Sequence, residues 1–215
     1  MTQEIELKYL ISSRADFQKL VVGLHAENVE TLTQNNTFFD TQDKALSERK
    51  TTVRVRDYGD KKIFTLKGKN ASSQSDLSLK EEYETPIDAK TLEALLGENY
   101  EIFARFVVDF LKTLTATPLI SETIQLVENS ELISTGSFVN YRKEFVKSIE
   151  GVEALIALDE THFSPDKIDF ELEAEVSKKK NVEVVRLYLQ KKFKKLEIFY
   201  KPAHSKYSRY LNLQL

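Results

Sequence analysis

Charge alternates with aliphatic side chains at period two in segment after segment of this chain, and that pattern limits the folds open to it. Glu4, Glu6 and Lys8 flank Ile5 and Leu7, and Glu171-Leu172-Glu173-Ala174-Glu175 repeats the arrangement late in the sequence. Intermediate segments do the same: Thr52, Arg54 and Arg56 against Val53 and Val55; Lys80, Glu82 and Glu84 in 77–85; Asn140, Arg142 and Glu144 in 138–146. In a strand, successive side chains point to opposite faces, so each segment has one charged and one apolar face. An ordinary sandwich would turn the charged faces to water. Their recurrence instead predicts a closed sheet with a polar interior and an apolar outer face covered by helices, since inward and outward residues alternate around a barrel.

About eight strands are expected. The long apolar strands and regular crossovers of a doubly wound α/β fold are missing, so the fold class is mainly antiparallel β with surrounding helices. The helices expected are a segment following Ser12 or Ser13, with Phe17, Leu20, Val21 and Leu24 on one face; a short helix capped by Asp88 and stopped by Gly97; and a basic amphipathic helix over 180–193 with Val184, Val185 and Leu189 inward. Residues 51–68 read as a hairpin turning at Gly59-Asp60. Residues 71–76 read as a polar loop, Ser164-Pro165-Asp166 as a turn, and 196–201 as the start of a final extended region. Residues 100–132 are ambiguous: Phe103, Phe106, Val107, Phe110 and Leu111 suit a helix, whereas 113–117 favour extended chain. Pro202 argues against a central strand there and for an edge or a plug over one barrel mouth.

The chain has 215 residues, no cysteine and a net charge of -3 with 30% charged residues. No linker divides it, so one domain over 1–215 is expected. Disulfides, thiolate zinc and cysteine nucleophiles are excluded. His25, His162 and His204 form no HExxH pattern, and His25 reads as a helix-end surface residue. With neither a signal-like start nor a membrane-length apolar run, a cytoplasmic protein without stable membrane association is expected. The basic residues of 178–180 and 191–195 suit a solvated helix, and no base-reading module appears, so no nucleic-acid polymer is expected as partner. A homodimer remains possible.

Segregated carboxylates and cations suit a polyphosphate bound with a hard metal ion. Mg²⁺ takes carboxylate, phosphate and water oxygens, and Mn²⁺ accepts the same ligands. Arginine offers phosphate a fork of donors and lysine a movable charge.

Glu4-Ile5-Glu6-Leu7-Lys8 resembles the ExExK signature of the CYTH superfamily, the triphosphate tunnel metalloenzymes. Matches in order extend along the chain: Phe38-Phe39-Asp40-Thr41, Arg54-Val55-Arg56, Thr65-Leu66-Lys67, Glu82, Arg142, Leu158-Asp159, Glu171-Leu172-Glu173, and Lys201 followed by Ser205-Lys206. The chain looks most similar to uncharacterised Gram-positive bacterial CYTH proteins named for adenylate cyclase. The resemblance implies an eight-stranded antiparallel tunnel barrel using Mg²⁺ or Mn²⁺. Glu4, Glu6, Asp159, Glu171 and Glu173 would be metal ligands or hold metal-bound water; Lys8, Arg54, Arg56, Lys67, Arg142, Lys201 and Lys206 would hold phosphate oxygens, with Glu82 at the substrate. Glu4, Glu6, Lys8, Glu171 and Glu173 would carry catalysis.

The activity implied is metal-dependent hydrolysis of inorganic triphosphate, thiamine triphosphate or a nucleoside triphosphate, with release of terminal phosphate. A class IV-like adenylate cyclase and a noncatalytic polyphosphate- or nucleotide-binding module are the alternatives. Cyclisation needs a fixed base and ribose; Phe39, Tyr58 and Tyr83 could contribute, but no base-specific set stands out, which favours hydrolysis. Glu98 and Glu122 are assigned no catalytic role.

Overall fold

The computed structural model describes residues 2–69 and 76–213, with the side chains of residues 2–4 and 69 left out of account. The elements, in order, are β1 (Thr2–Ile11), α1 (Arg14–Gly23), β2 (Thr31–Thr41), α2 (Ala45–Glu48), β3 (Thr52–Asp57), β4 (Lys62–Lys69), β5 (Leu77–Pro86), α3 (Ala89–Leu96), α4 (Tyr100–Lys112), α5 (Pro118–Asn129), β6 (Leu132–Ile149), β7 (Val152–Ser164), β8 (Lys167–Glu175), α6 (Val182–Lys195), β9 (Tyr200–Pro202) and α7 (Lys206–Leu211). The strand order is β5-β4-β3-β2-β6-β7-β8-β1-β9, and a further pairing of β5 with β1 joins the ends of the run from β5 to β1. The fold is thus a closed antiparallel barrel of eight strands with surrounding helices, and β9 is an added edge. The described residues group into two compact units, one of residues 35–69 and 82–137, the other of residues 2–34, 76–81 and 138–213.

In the first unit the ambiguous third of the sequence resolves into α4 and α5. Asn99 accepts a hydrogen bond from the Ile102 amide to start α4, and Thr117 caps α5 ahead of Pro118 at its first turn. Phe103, Val107 and Leu111 recur along one face of α4 and are fully buried. Phe103 packs on Phe39 of β2 at 4.5 Å between ring centroids and on Phe64 of β4 at 6.2 Å. The Asp40 carboxylate at the end of β2 is buried and accepts from the Leu46 and Ser47 amides, anchoring α2.

In the second unit Ile5, Leu7, Tyr9 and Ile11 alternate inward to a core shared with Phe17, Leu20 and Val21 of α1, with Ile156, Leu158, Leu172 and Ala174 of β7 and β8, and with Val185, Leu189 and Phe193 of α6. That core fixes the register of β1, because a slip by one residue would exchange its two faces. The Glu6 and Lys8 side chains of β1 therefore share the opposite face with Glu171 and Glu173.

Three boundaries differ from the sequence reading. β6 runs for 18 residues rather than the expected 138–146; it includes Gly136 at φ +120°, a backbone conformation open to glycine. The basic helix begins at Val182, with residues 179–181 in a single 3₁₀ turn. The final extended region shrinks to β9, because α6 runs to Lys195 and Glu197 takes a left-handed φ of +52°. Pro202 closes β9 opposite Tyr9, on an edge as expected. The turn at 164–166 and the Gly59 hairpin are present. The polar loop read at 71–76 lies outside the described residues except for Asp76. Among the described residues no helix is long and apolar enough to cross a membrane.

Asp76 ties β1 to α6. Its carboxylate accepts from the Tyr9 hydroxyl at 2.9 Å and from Arg186 through Nε and Nη2 at 2.8 and 2.9 Å, while its carbonyl accepts from the Lys8 amide. Burial pushes the Asp76 carboxyl up, but Arg186 and Tyr9 outweigh it and hold the group below its ordinary range. A depressed carboxyl stabilises the fold above its unfolded pKa of about 4, and that contribution fades as pH falls through the folded value. Arg186→Ala is expected to cost about 1–2 kcal/mol at pH 7, allowing for partial solvent screening. In urea titrations the stability gap between wild type and Asp76→Asn should narrow below about pH 4; a gap constant with pH would refute the assignment.

Candidate active site

Strand register assembles a charged cluster in the second unit. Arg142 of β6 lies opposite Asp159 of β7, Asp159 lies opposite Glu171 of β8, and Glu173 lies opposite Lys8 of β1. These side chains lie on the face opposite the apolar core, and α7 adds Lys206 and Arg209. Ser205 sets that helix by accepting from the Ser208 amide, and Tyr207 and Tyr210 bury its apolar side.

The ion pairs are dense. The Lys8 ammonium lies 2.7 Å from Glu6 Oε2 and 2.8 Å from Glu173 Oε1. Arg142 donates from Nε and Nη2 to the two oxygens of Asp159 at 2.8 and 2.7 Å, and Nη2 also contacts Glu173. Lys206 Nζ sits 2.8 Å from Asp159 Oδ2, 2.7 Å from Glu173 Oε1 and 3.3 Å from Glu171 Oε1. Arg209 bonds Asp169 Oδ2 at 2.9 Å and the far oxygen of Glu171. Asn140 donates to Asp159 Oδ1 at 2.8 Å and to Gln34 at 3.0 Å, and accepts from Thr161 at 2.7 Å.

Burial sets the electrostatics, since Asp159 and Glu171 are both 0% exposed. For Asp159, burial is overcome by Arg142 and Lys206, which bring its pKa down to about 2. For Glu173, burial is likewise outweighed by Lys206, Lys8 and Arg142, leaving it far below the ordinary range. Glu171 goes the other way: burial, helped by the charge of Glu173, raises it despite Lys206, Arg209 and Lys8. On Lys206 burial works against the charge, but Asp159, Glu171 and Glu173 raise its pKa.

Among the described residues no three acidic or imidazole groups are arranged to hold a metal ion. The donor set nonetheless fits a hard divalent cation: its donors are carboxylate oxygens, and buried Glu171 Oε1 accepts no hydrogen bond. At that oxygen the nearest cationic group described is the Lys206 ammonium. A metal ion would therefore have to share or replace the contacts that Lys206 now makes.

The first unit carries a second group. Arg54 Nη2 donates to Thr65 Oγ1 at 3.0 Å and lies 3.8 Å from Glu82 and 3.6 Å from Glu84. Its Nε is buried and donates to no acceptor. Burial, with Arg56 nearby, lowers its pKa to about 10 against the opposing pull of Glu82 and Glu84. Arg56 donates to Asn36 at 2.9 Å and to the Tyr58 hydroxyl at 3.3 Å, and Lys67 pairs with Glu82 at 3.2 Å.

Of the residues expected from the sequence, the structure gathers Glu6, Lys8, Arg142, Asp159, Glu171, Glu173 and Lys206 in one unit and Arg54, Arg56, Lys67 and Glu82 in the other. The Glu4 side chain lies outside the described residues. Lys201 is exposed on β9 and is bound there through the backbone pairing with Leu10; it is not among the side chains that touch the carboxylates. Arg209, Asp169, Asn140 and Thr161 were missed. Asp169 continues the 171 and 173 alternation, and Arg209 follows Lys206 by one helical turn, so both were readable once 205–211 was taken as a capped helix. His162 pairs with Glu160 at 2.7 Å, and exposed His25 has φ +62° just beyond α1.

No curated protein matches the chain in sequence. Among solved structures, HpAC1 from Hippeastrum, described as an adenylyl cyclase candidate with a dominant triphosphatase activity, is similar at 24% identity and a TM-score of 0.75, covering 99% of this chain and 97% of that one. An adenylate cyclase candidate from Bacillus halodurans is similar at 20% identity and a TM-score of 0.67, covering 97% and 98%. The PH1819 protein of Pyrococcus horikoshii follows at 15% identity and a TM-score of 0.53, covering 98% of each chain. The family model described as the CYTH domain matches residues 2–211. The chain belongs to the CYTH domain family.

Proposed function

We propose that the protein is a metal-dependent hydrolase of triphosphate-containing small molecules that releases terminal phosphate, with residues 1–215 acting as a single CYTH-like domain. The observation that carries this reading is the buried carboxylate cluster of Glu6, Asp159, Glu171 and Glu173, neutralised by the ammonium groups of Lys8 and Lys206. A site of that composition suits ligands that bring their own positive and negative charge together, as a metal triphosphate does.

In this reading Glu4, Glu6, Asp159, Glu171 and Glu173 hold Mg²⁺ or Mn²⁺, directly or through water. When bound, the ion supplies charge neutralisation and polarisation of a phosphoryl oxygen. Lys8, Arg54, Arg56, Lys67, Arg142, Lys201 and Lys206 bind phosphate oxygens, and Glu82 orients Arg54 and Lys67. The buried Arg54 Nε, with no acceptor of its own, supports the phosphate assignment. Catalysis then rests on positioning and on stabilising negative charge, the usual demands of phosphoryl transfer. The acidic side chains orient the attacking water. Cytoplasmic location and a possible homodimer complete the reading.

The dominant triphosphatase activity described for the Hippeastrum protein favours hydrolysis. The cyclase names carried by two of the similar structures favour a second reading, in which a ribose hydroxyl attacks the α-phosphate of ATP and pyrophosphate leaves. A noncatalytic binding module would show metal-dependent binding without turnover.

Inorganic triphosphate, ATP and thiamine triphosphate incubated with Mg²⁺ or Mn²⁺, with every product resolved, should show orthophosphate release from at least one substrate. Glu4→Ala and Arg54→Ala should each lower that rate by about 10²-fold or more. Cyclic AMP and pyrophosphate as the only products would select the cyclase, and full activity in both variants would reject the site.

A further inference from the structure

We propose that Lys206 is a built-in counter-ion that holds the carboxylate cluster in the absence of a divalent cation and is displaced when one binds. This inference rests on the metal-dependent reading above. One ammonium contacts Asp159, Glu171 and Glu173 at once, at 2.8, 3.3 and 2.7 Å. Those are the same oxygens a metal ion would use, and Glu171 Oε1, which accepts no hydrogen bond, faces that ammonium. An ammonium has donors for three acceptors, yet a divalent ion in the same place brings twice the charge to carboxylates that burial has stripped of water. The two cations therefore compete for one position.

Arg142 and Lys8 cannot play this part equally. Arg142 is bound bidentately to Asp159 from an adjacent strand, and Lys8 is fixed by the ladder between β1 and β8. Lys206 alone among these three comes from a short helix, α7, that follows the edge strand β9. Its four-carbon stem lets the ammonium move without moving the backbone. Aromatic contacts of Tyr210 with Phe138 and Phe163, at 5.6 and 6.3 Å, keep α7 in place when the lysine lets go. The released ammonium would then be available to a phosphate oxygen, so that metal and triphosphate each favour binding of the other.

The test uses the full chain and Mn²⁺ alone, without substrate. Amine acetylation of wild-type protein, read by mass spectrometry, should label Lys206 several-fold faster in saturating Mn²⁺, with exposed Lys201 as the internal reference. In calorimetry Lys206→Met should bind Mn²⁺ about tenfold or more tightly than wild type, since a competing close charge is gone. Labelling of Lys206 unchanged by bound Mn²⁺ overturns the displacement, even where the variant binds more tightly, because loss of a distant charge would raise affinity without freeing the amine. Equal or weaker binding by Lys206→Met overturns it as well. Mn²⁺ binding to neither protein would instead refute the metal-dependent reading itself, and this inference with it.

Discussion

Arg142→Ala should lower stability by about 3–5 kcal/mol, the cost of stripping one partner from a buried ion pair. The loss exceeds that of an ordinary salt bridge because Asp159 is fully buried and takes a bond on each of its oxygens from this guanidinium. Without it, Asp159 must share Lys206 with Glu173 and Glu171 in a setting where an unmatched charge cannot be hydrated. A chain of this length should then melt roughly 6–20 °C lower. Lys112→Ala supplies the contrast: its pair with Glu128 has the same 2.7 Å length as the shorter Arg142–Asp159 contact, but both side chains are about half exposed. That variant should lose less than about 1 kcal/mol. Urea denaturation of the two, side by side, decides whether burial is the cause; equal losses would show that it is not.

Glu171→Gln should separate activity from stability. The carboxyl is driven upward by burial and by Glu173, so its ionised form weakens the fold at neutral pH rather than strengthening it. For a raised carboxyl the sign is the reverse of that for Asp76: any stabilising contribution is present at low pH and is lost as pH rises through the folded value. A neutral side chain of the same shape should therefore change stability by less than about 1 kcal/mol. Turnover of a triphosphate with Mn²⁺ should nevertheless fall by about 10²- to 10³-fold, through loss of a carboxylate proposed to hold the ion. A variant that loses both activity and more than about 2 kcal/mol of stability would mark Glu171 as structural. One that keeps full turnover would remove it from the ligand set.

The barrel was legible because alternation is a local property with a global consequence. Ile5, Leu7, Tyr9 and Ile11 announce one apolar face, and the same rule applied to 171–175 and 52–56 sets a charged face against an apolar one in each. The order of motifs from Glu4 to Lys206 then named most of the side chains proposed for the site. What remained hidden depended on contacts across long stretches of sequence. Nothing near Asp159 says that Arg142, Asn140 and Lys206 will surround it, because β-ladder register is decided by the hydrophobic cores on the far side. The helices α4 and α5 were obscured for a different reason: 113–117 is a short extended link, and read together with its flanks it blurred two clear helical repeats. Arg209 escaped because the end of the chain was read as extended rather than as a capped helix, and Asp169 escaped with it because Arg209 is its partner.

The three-residue edge strand bears on how copies of this chain behave at high concentration. Barrel closure gives each of the eight long strands a neighbour on either side, and β9 covers Tyr9–Ile11 with a segment that ends in Pro202, which has no amide hydrogen. So short and interrupted an edge gives a neighbouring molecule little to extend by strand addition. A protein lacking residues from 200 onward would uncover that ladder and should be prone to aggregate.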